Sequence, residues 1–187
     1  MVSSFDKRKQ DVLSKLDKSH KNSWDEKIVG LCKKINSLDN YYTTSSCSGR
    51  VVLMIEQDKK GKDLFVYVYH DKVSLKKLKE DINSALKIGK KIKFKLEPCI
   101  LHVSCRSLED AERLYGKAKL SGWKKSGIIG IKNGFSVEMN SSERLEFPII
   151  SENKILVNDE FLKIIVDSSN SKLEKSWLKI QRLQNLI

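Results

Sequence analysis

The hydrophobic pattern of the first 38 residues predicts a pair of helices. Apolar residues there recur at steps of four and three, the spacing of one helix face: Trp24, Ile28, Leu31 and Ile35. Ser23 directly precedes this run, and Glu26 lies three positions after Ser23, which is the arrangement of a capping box. A shorter apolar stripe that includes Phe5 predicts the preceding helix. We therefore expect an N-terminal helical pair over about residues 5–38.

The middle of the chain alternates apolar runs with polar turns and predicts strands interleaved with helices. The expected strands cover residues 41–46, 51–55, 64–69, 91–96, 99–105, 128–131, 135–139, 145–150 and 155–157. Two helices are expected over residues 74–88 and 107–122, each opened by a serine and closed near a glycine. Asn133-Gly134 favours a two-residue hairpin turn between strands.

This order of elements predicts an α/β protein in which helices flank a mixed β-sheet. Strand–strand–helix occurs twice, near residues 51–88 and 91–121, which suggests an internal duplication. C-terminal helices are expected over about residues 159–186, with a break near Asn170. Because no Pro- or Ser-rich linker divides the chain, we expect one compact domain over residues 1–187.

Charge adds a candidate class of partner. Lys and Arg number 36 against 24 Asp and Glu, a net charge of +12. This excess favours a polyanion, most simply nucleic acid, although charge alone supports solubility as readily. No apolar run approaches the roughly 18–20 residues of a membrane span, and the charged start lacks the core of a signal peptide. We therefore expect a cytoplasmic protein with no membrane partner.

The cysteines and histidines do not form a metal-binding motif. Cys99, His102 and Cys105 come at three-residue steps, but on a strand the two cysteines share one face and His102 lies on the other. No CxxC pair occurs, so we expect no metal and reduced thiols. The chain also lacks the GxSxG elbow of many hydrolases, the P-loop and the GxGxxG turn of a Rossmann nucleotide site.

Four polar segments lie where a plain core would not need them: residues 17–25, 42–50, 93–103 and 122–127. In the second segment, five Ser and Thr hydroxyls stand beside Gly49 and Arg50. Backbone N–H groups, hydroxyls and a guanidinium can together bind an oxyanion. An edge strand with a bulge explains the same composition equally well.

The third and fourth segments each allow two interpretations. His102 could be a general base or a hydrogen bonder to a nucleobase edge, or else a structural residue. Trp123 beside Lys124 and Lys125 suits stacking and phosphate contact in RNA binding. A helix end with a half-buried Trp is just as compatible with that segment.

Read together, the four segments resemble the tRNA wybutosine-synthesizing protein 3 family. Residues 43–50 read TTSSCSGR, the family's signature, and residues 94–103 resemble its FKxEPxILHV segment. Residues 17–25 resemble its DxSxKGSxD segment, with Asn22 where the family's glycine is usual, and residues 122–127 resemble its G-aromatic-x-x-SG segment. The resemblance spans nearly the whole chain in the right order.

The resemblance implies a tRNA methyltransferase that uses S-adenosylmethionine. Its implied substrate is a ring nitrogen of 4-demethylwyosine, the modified guanosine 3′ of the anticodon in phenylalanine tRNA. With no GxGxxG turn, the fold is not expected to be that of a Rossmann-type methyltransferase. A stand-alone chain resembles the archaeal form. The alternative is a non-catalytic basic RNA-binding module, and a hydrolase that uses the Ser/Thr-rich turn is a third, weaker interpretation.

Within this hypothesis each segment receives a role. The general base that takes the proton from the ring nitrogen is expected to be His102 or Asp25. The methionine carboxylate of the cofactor, or an RNA phosphate, is expected at the hydroxyl-rich turn: Thr44, Ser45, Ser46, Ser48, Gly49 and Arg50. The anticodon arm is expected at basic and aromatic positions: Lys21, Lys93, Lys95, Trp123, Lys124, Lys125 and Ser126.

Overall fold

A computed structural model describes residues 4–15, 25–57, 64–131 and 134–187. The helices in these ranges are α1 (Ser4–Leu13), α2 (Glu26–Asn36), α3 (Leu75–Leu86), α4 (Leu108–Leu120) and α5 (Asp159–Leu186). The strands are β1 (Tyr41–Cys47), β2 (Arg50–Ile55), β3 (Phe65–Tyr69), β4 (Ile92–Glu97), β5 (Ile100–Cys105), β6 (Gly127–Ile131), β7 (Gly134–Asn140), β8 (Leu145–Ser151) and β9 (Lys154–Ile155). None of the helices in the described ranges combines the length and apolar composition that a membrane crossing requires.

The chain divides into two compact units. The first comprises Met1–Ser48, Cys99–Ser142 and Ser176–Ile187, and the second comprises Gly49–Pro98 and Glu143–Lys175. Residues 159–175 of α5 thus belong to the second unit and the rest of the helix to the first. The single-domain organisation stays a prediction.

The first unit is built on a four-stranded antiparallel sheet in the order β1-β5-β7-β6. One face of this sheet carries the core, to which α2, α4 and the end of α5 contribute. The apolar stripe expected on α2 is confirmed where it is described, since Ile28, Leu31 and Ile35 are fully buried. Burial of each such side chain contributes about 1.5–3 kcal/mol, so this stripe anchors α2.

The second unit is built on a five-stranded antiparallel sheet in the order β3-β2-β4-β8-β9. The continuous apolar run of β2 is buried at Val51, Val52 and Leu53. Phe94 of β4 and Phe147 of β8 stack with their ring centroids 5.1 Å apart. These contacts give the second unit a core of its own.

The expected α/β class is confirmed, and so is a fold other than the Rossmann type. The strands differ from expectation in forming two sheets whose pairings are antiparallel, where one mixed sheet was expected. Strand–strand–helix does occur twice. However, β2 and β3 pair with each other, whereas β4 and β5 belong to different sheets, so the two segments do not build the same unit.

The C-terminal segment is one continuous helix, and the expected break near Asn170 is wrong. Asn170 sits inside α5, where its Oδ1 accepts from Val73 N and its Nδ2 donates to Val73 O, both at 3.0 Å. The Asn170 side chain thus hydrogen-bonds to the backbone of Val73 and does not end the helix. The serine caps are confirmed at Ser74 and Ser107. Ser23 and Asn133 lie outside the described residues.

Candidate active site

The open face of the first unit's sheet carries the polar side chains of β5. Alternation along this strand buries Leu101, Val103 and Cys105, and leaves His102 and Ser104 half-buried on the opposite face. A strand alternates its side chains between two faces with a period of two. The expected division of faces is therefore confirmed, and it separates the cysteines from His102.

His102 is hydrogen-bonded to Ser45 across the sheet. Ser45 Oγ lies 2.7 Å from His102 Nδ1. The pairing of β1 with β5 shifts between Thr43 and Ser45, so Ser45 stands opposite His102 and Thr44 is the extra residue. Such a β-bulge re-aims the side chains that follow it. Without it, Ser45 would stand opposite buried Leu101 and face the core.

Glu138 of β7 completes a row of three polar residues. It pairs with His102 in the register of β5 and β7, and its Oε2 lies 3.1 Å from His102 Nε2. The two atoms are not aligned as a hydrogen bond, so we regard this contact as an electrostatic one. A carboxylate at that distance favours a proton on Nε2, which leaves the lone pair of Nδ1 to accept the Ser45 hydroxyl proton.

Asp25 binds the turn that follows β1. Its Oδ2 accepts hydrogen bonds from Ser48 N at 3.0 Å and from Ser48 Oγ at 3.2 Å. Asp25 also occupies the N-cap position of α2 without capping an N–H group of that helix. The carboxylate that this turn binds therefore belongs to the chain itself, and the expected binding of a cofactor carboxylate or an RNA phosphate there stays a prediction.

The rest of the hydroxyl-rich turn is divided between exposed and buried positions. Thr44 and Ser45 are exposed, Ser46 is half-buried, and Ser48 and Gly49 are buried. Gly49 adopts a φ of 98°, a backbone conformation that favours glycine. Of this turn, the exposed hydroxyls therefore belong to Thr44 and Ser45.

Arg50 begins β2 in the second unit and is engaged by Glu97. Arg50 Nε lies 2.7 Å from Glu97 Oε2, and Lys95 Nζ lies 3.0 Å from Glu97 Oε1. Burial acts to raise the pKa of Glu97, but the Arg50 and Lys95 cations hold it below its ordinary value. The Arg50 guanidinium also lies 4.7 Å from the centre of the Phe65 ring.

The lysines expected to bind RNA on β4 carry acidic partners. Lys93 Nζ lies 2.6 Å from Glu146 Oε1, and this hydrogen bond raises the pKa of Lys93. Lys95 shares Glu97 with Arg50. Since each cation is compensated inside the sheet, these lysines contribute less net attraction for a polyanion than unpaired ones would. Lys21 lies outside the described residues.

Trp123 is a core residue, and its expected stacking on an RNA base is wrong. The side chain is fully buried, and Nε1 donates to Lys179 O at 3.2 Å. A ring without an exposed face offers nothing for a base to stack on. Ser126 Oγ donates to Trp123 O at 2.7 Å and so holds the turn. The exposed members of this segment are Lys124 and Lys125.

A small cavity adjoins the same face of the first unit's sheet. Its volume is about 240 Å³, and α1, β1, β5 and β7 line it with Phe5, Arg8, Tyr42, Ser104, Cys105, Gly134, Phe135 and Ser136. Arg8 Nε is buried, and none of the described residues hydrogen-bonds to it. Burial raises the pKa of the Cys105 thiol to about 12, so Cys105 carries no charge.

Comparison with known proteins decides the family. A family model described as methyltransferase TYW3 matches residues 7–187. The chain belongs to the methyltransferase TYW3 family. The resemblance inferred from the motifs is thereby confirmed, and membership makes the chain a methyltransferase that requires a methyl donor. A non-catalytic module is not favoured.

Similar proteins of this family come from animals and archaea. The tRNA wybutosine-synthesizing protein 3 homolog of Danio rerio is 36% identical over 192 residues, which cover 98% of this chain and 74% of that protein. A Pyrococcus furiosus relative is 37% identical over 191 residues, which cover 98% and 95% of the two chains. It is named tRNA(Phe) 7-((3-amino-3-carboxypropyl)-4-demethylwyosine(37)-N(4))-methyltransferase 1.

Solved structures show the same fold. The PH1069 protein of Pyrococcus horikoshii superposes with a TM-score of 0.87 at 34% identity, over 97% of this chain and 95% of that one. A protein of Aeropyrum pernix superposes with a TM-score of 0.71 at 24% identity over 83% of this chain. The second likeness extends the TYW3 fold to a more distant sequence.

The sequence patterns did not predict a functional role for Glu138 or for Arg8. Glu138 reaches His102 through the pairing of β5 with β7, which a local pattern does not specify. The outward alternation of Ser136 and Glu138 on β7 was the available signal. Arg8 could not be told from other cations of this TYW3 family member, because its distinguishing property is the cavity around it.

Proposed function

We propose that this methyltransferase transfers a methyl group from S-adenosylmethionine to a ring nitrogen of 4-demethylwyosine in phenylalanine tRNA. The names of the archaeal relatives, which state a tRNA(Phe) 4-demethylwyosine N4-methyltransferase, support the reaction. The observation that carries the chemistry is the row Ser45–His102–Glu138, with an exposed hydroxyl 2.7 Å from a histidine nitrogen. The net charge of +12 suits an RNA substrate.

The row supplies a path for the proton that the ring nitrogen must lose. The substrate N–H donates to Ser45 Oγ, while the Ser45 hydroxyl proton moves to His102 Nδ1. The nitrogen lone pair would then bond to the methyl carbon, and the methyl–sulfur bond of the donor would break with its electron pair left on sulfur, which would release S-adenosylhomocysteine. Glu138 stabilises the resulting imidazolium from the Nε2 side, as a carboxylate orients the histidine in other hydroxyl–histidine–carboxylate rows.

S-adenosylmethionine, when bound, supplies an electrophilic methyl on a sulfonium and a methionine carboxylate that needs donors. The expected donors at Ser48 and Arg50 bind Asp25 and Glu97 instead. Arg8 Nε has no hydrogen-bond partner in the part of the chain that the structure describes, and it shares its cavity with two serine residues, so the donor set there fits a carboxylate. Arg8, Ser104 and Ser136 would hold such a group.

Lys124 and Lys125 would meet the backbone of the anticodon arm. Both side chains are exposed, while the neighbouring Trp123 fixes their turn from inside the core. Lysine binds phosphate as a point charge and does not read sequence. These lysines would therefore add affinity for RNA, whereas the choice of base would rest on the open sheet face.

The test is transfer of label to a defined base. The full chain is incubated with methyl-labelled S-adenosylmethionine and phenylalanine tRNA bearing the unmethylated base, and the tRNA is digested to nucleosides. We expect label in the modified nucleoside and none with tRNA that lacks it. Binding of tRNA without label, together with no binding of S-adenosylmethionine in calorimetry, would establish the RNA-binding module instead.

Asp25 remains the second candidate for the general base. If His102→Ala retains the full single-turnover rate while Asp25→Ala is slow, the proton goes to Asp25. The hydrogen bonds that Asp25 Oδ2 already accepts from Ser48 support the assignment to the Ser45–His102 pair.

A further inference from the structure

We infer that the cavity beside α1 binds the carboxylate of a 3-amino-3-carboxypropyl group through Arg8. This inference rests on the proposed function and deepens it. The names of the archaeal relatives place that group on position 7 of their substrate base. S-adenosylmethionine carries the same group on its sulfur, so the same carboxylate is present in both the substrate and the cofactor.

The described residues that line the cavity supply a positive charge and no carboxylate. The eight described residues of this lining include Arg8 and Cys105, whose thiol is neutral, and none of the eight is Asp or Glu. Nearby Arg106 is engaged, because it pairs with Asp6, donates to Asp39 O at 3.0 Å and stacks 4.7 Å from the centre of the Phe5 ring. Across residues 4–15, 25–57, 64–131 and 134–187, Arg8 Nε has no such partner. A buried donor in that state suits a carboxylate from outside.

The remaining wall suits a short carbon chain that ends in polar atoms. Phe5 and Tyr42 pack with ring centroids 5.1 Å apart and supply apolar surface. Ser104 Oγ and Ser136 Oγ lie 3.4 Å apart and supply hydroxyls that can donate or accept. This combination matches methylene groups beside an amino acid head group.

The cavity size favours a small occupant. Its volume of about 240 Å³ falls below the range of about 300–1,000 Å³ that holds whole small-molecule ligands. A substituent therefore fits better than an entire nucleoside.

The cavity also lies next to the proposed proton path. Ser104 is two residues from His102 on β5, and Ser136 is two residues from Glu138 on β7. Two residues along a strand span about 7 Å. A group anchored at Arg8 can thus leave the atom to be methylated, or the methyl donor, close to Ser45.

The experiment uses Arg8→Gln, which removes the charge and keeps an amide donor. Lys7→Gln is the matched control, because it removes an exposed charge from the same helix. Each full-length variant is measured with tRNA bearing 4-demethylwyosine with and without the 3-amino-3-carboxypropyl chain. Binding of S-adenosylhomocysteine and of methylthioadenosine, which lacks the amino acid part, is measured by calorimetry.

The two sources give different results. If the group belongs to the substrate, Arg8→Gln weakens binding and kcat/KM about 10- to 100-fold for chain-bearing tRNA only. If it belongs to the cofactor, the variant weakens S-adenosylhomocysteine by a similar factor, leaves methylthioadenosine unchanged and affects both tRNAs alike. An Arg8→Gln protein equal to Lys7→Gln in every measurement overturns the inference.

Folding and the proposed function are controlled separately. Should Arg8→Gln fail to fold by circular dichroism, Ser136→Ala is taken through the same comparison with a smaller expected loss, about 5-fold for one neutral hydrogen bond. A wild-type chain that methylates neither tRNA refutes the proposed function. The binding measurements still decide whether Arg8 holds the carboxylate.

Discussion

Ser45 Oγ lies 2.7 Å from His102 Nδ1 because β1 bulges at Thr44. The extra residue turns an exposed hydroxyl onto the face of the sheet that carries His102 and Glu138. The adjacent hydroxyl, that of Thr44, instead donates to the backbone, with Oγ1 at 3.4 Å from His102 O. The two neighbouring hydroxyls are therefore chemically distinct.

Ser45→Ala removes the group that is proposed to take the substrate proton. We expect the single-turnover rate of methyl transfer to fall by about 100-fold or more, as for other general-base losses, with tRNA affinity unchanged. Thr44→Ala is the matched control and should keep the rate within about 3-fold. Equal rates for the two variants would remove Ser45 from the proton path.

Asp25→Ala should act on stability. Ser48 is fully buried, and the substitution of Asp25 leaves the Ser48 N–H and the Ser48 hydroxyl without their acceptor. An unsatisfied buried donor costs about 1–3 kcal/mol, so the free energy of unfolding should fall by at least that amount in urea titrations. Asp25→Asn keeps an acceptor oxygen and should retain both stability and methyl transfer. A folded Asp25→Asn without activity would instead identify Asp25 as the base.

Glu97 should make the second unit sensitive to acid. Its pKa in the folded chain lies below its ordinary value of 4.5. The stabilisation is therefore complete above about pH 4.5 and is lost as the pH falls through the lower, folded value. Glu97→Gln removes this dependence, so its free energy of unfolding should change less between pH 7 and roughly pH 3 than that of the wild type. Glu80→Gln, an exposed position on α3, is the control and should behave as the wild type.

Lys124 and Lys125 should set part of the salt dependence of tRNA binding. Each phosphate contact contributes about 0.7–0.9 to the slope of log K against log salt. Lys124→Gln with Lys125→Gln should lower that slope by about 1.5, measured by filter binding from low to moderate salt. The exposed pair Lys76 and Lys87 in the second unit serves as the control. An unchanged slope in the first double variant would place the RNA elsewhere.

Local patterns succeeded where the physical cause is local. The caps Ser74 and Ser107, the buried face of α2 and the outward position of His102 all follow from spacing within one element. The predicted break at Asn170 failed because its side chain finds Val73, which is 97 residues away in the sequence. A helix interior tolerates an asparagine when a backbone segment distant in sequence forms hydrogen bonds with its side chain.

The candidate site divides in the same way. Motif order alone determined the family, and strand alternation determined that His102 leaves the core while Cys99 and Cys105 stay in it. Only the tertiary structure decided three interactions. Ser45 hydrogen-bonds to His102, Asp25 accepts the hydrogen bonds of Ser48, and Glu97 forms an ion pair with Arg50. The reason is physical. Alternation of side chains between two faces is a property of one strand, whereas the partner of a polar group depends on β-bulges, on strand register and on which charged residue, distant in sequence, packs beside it.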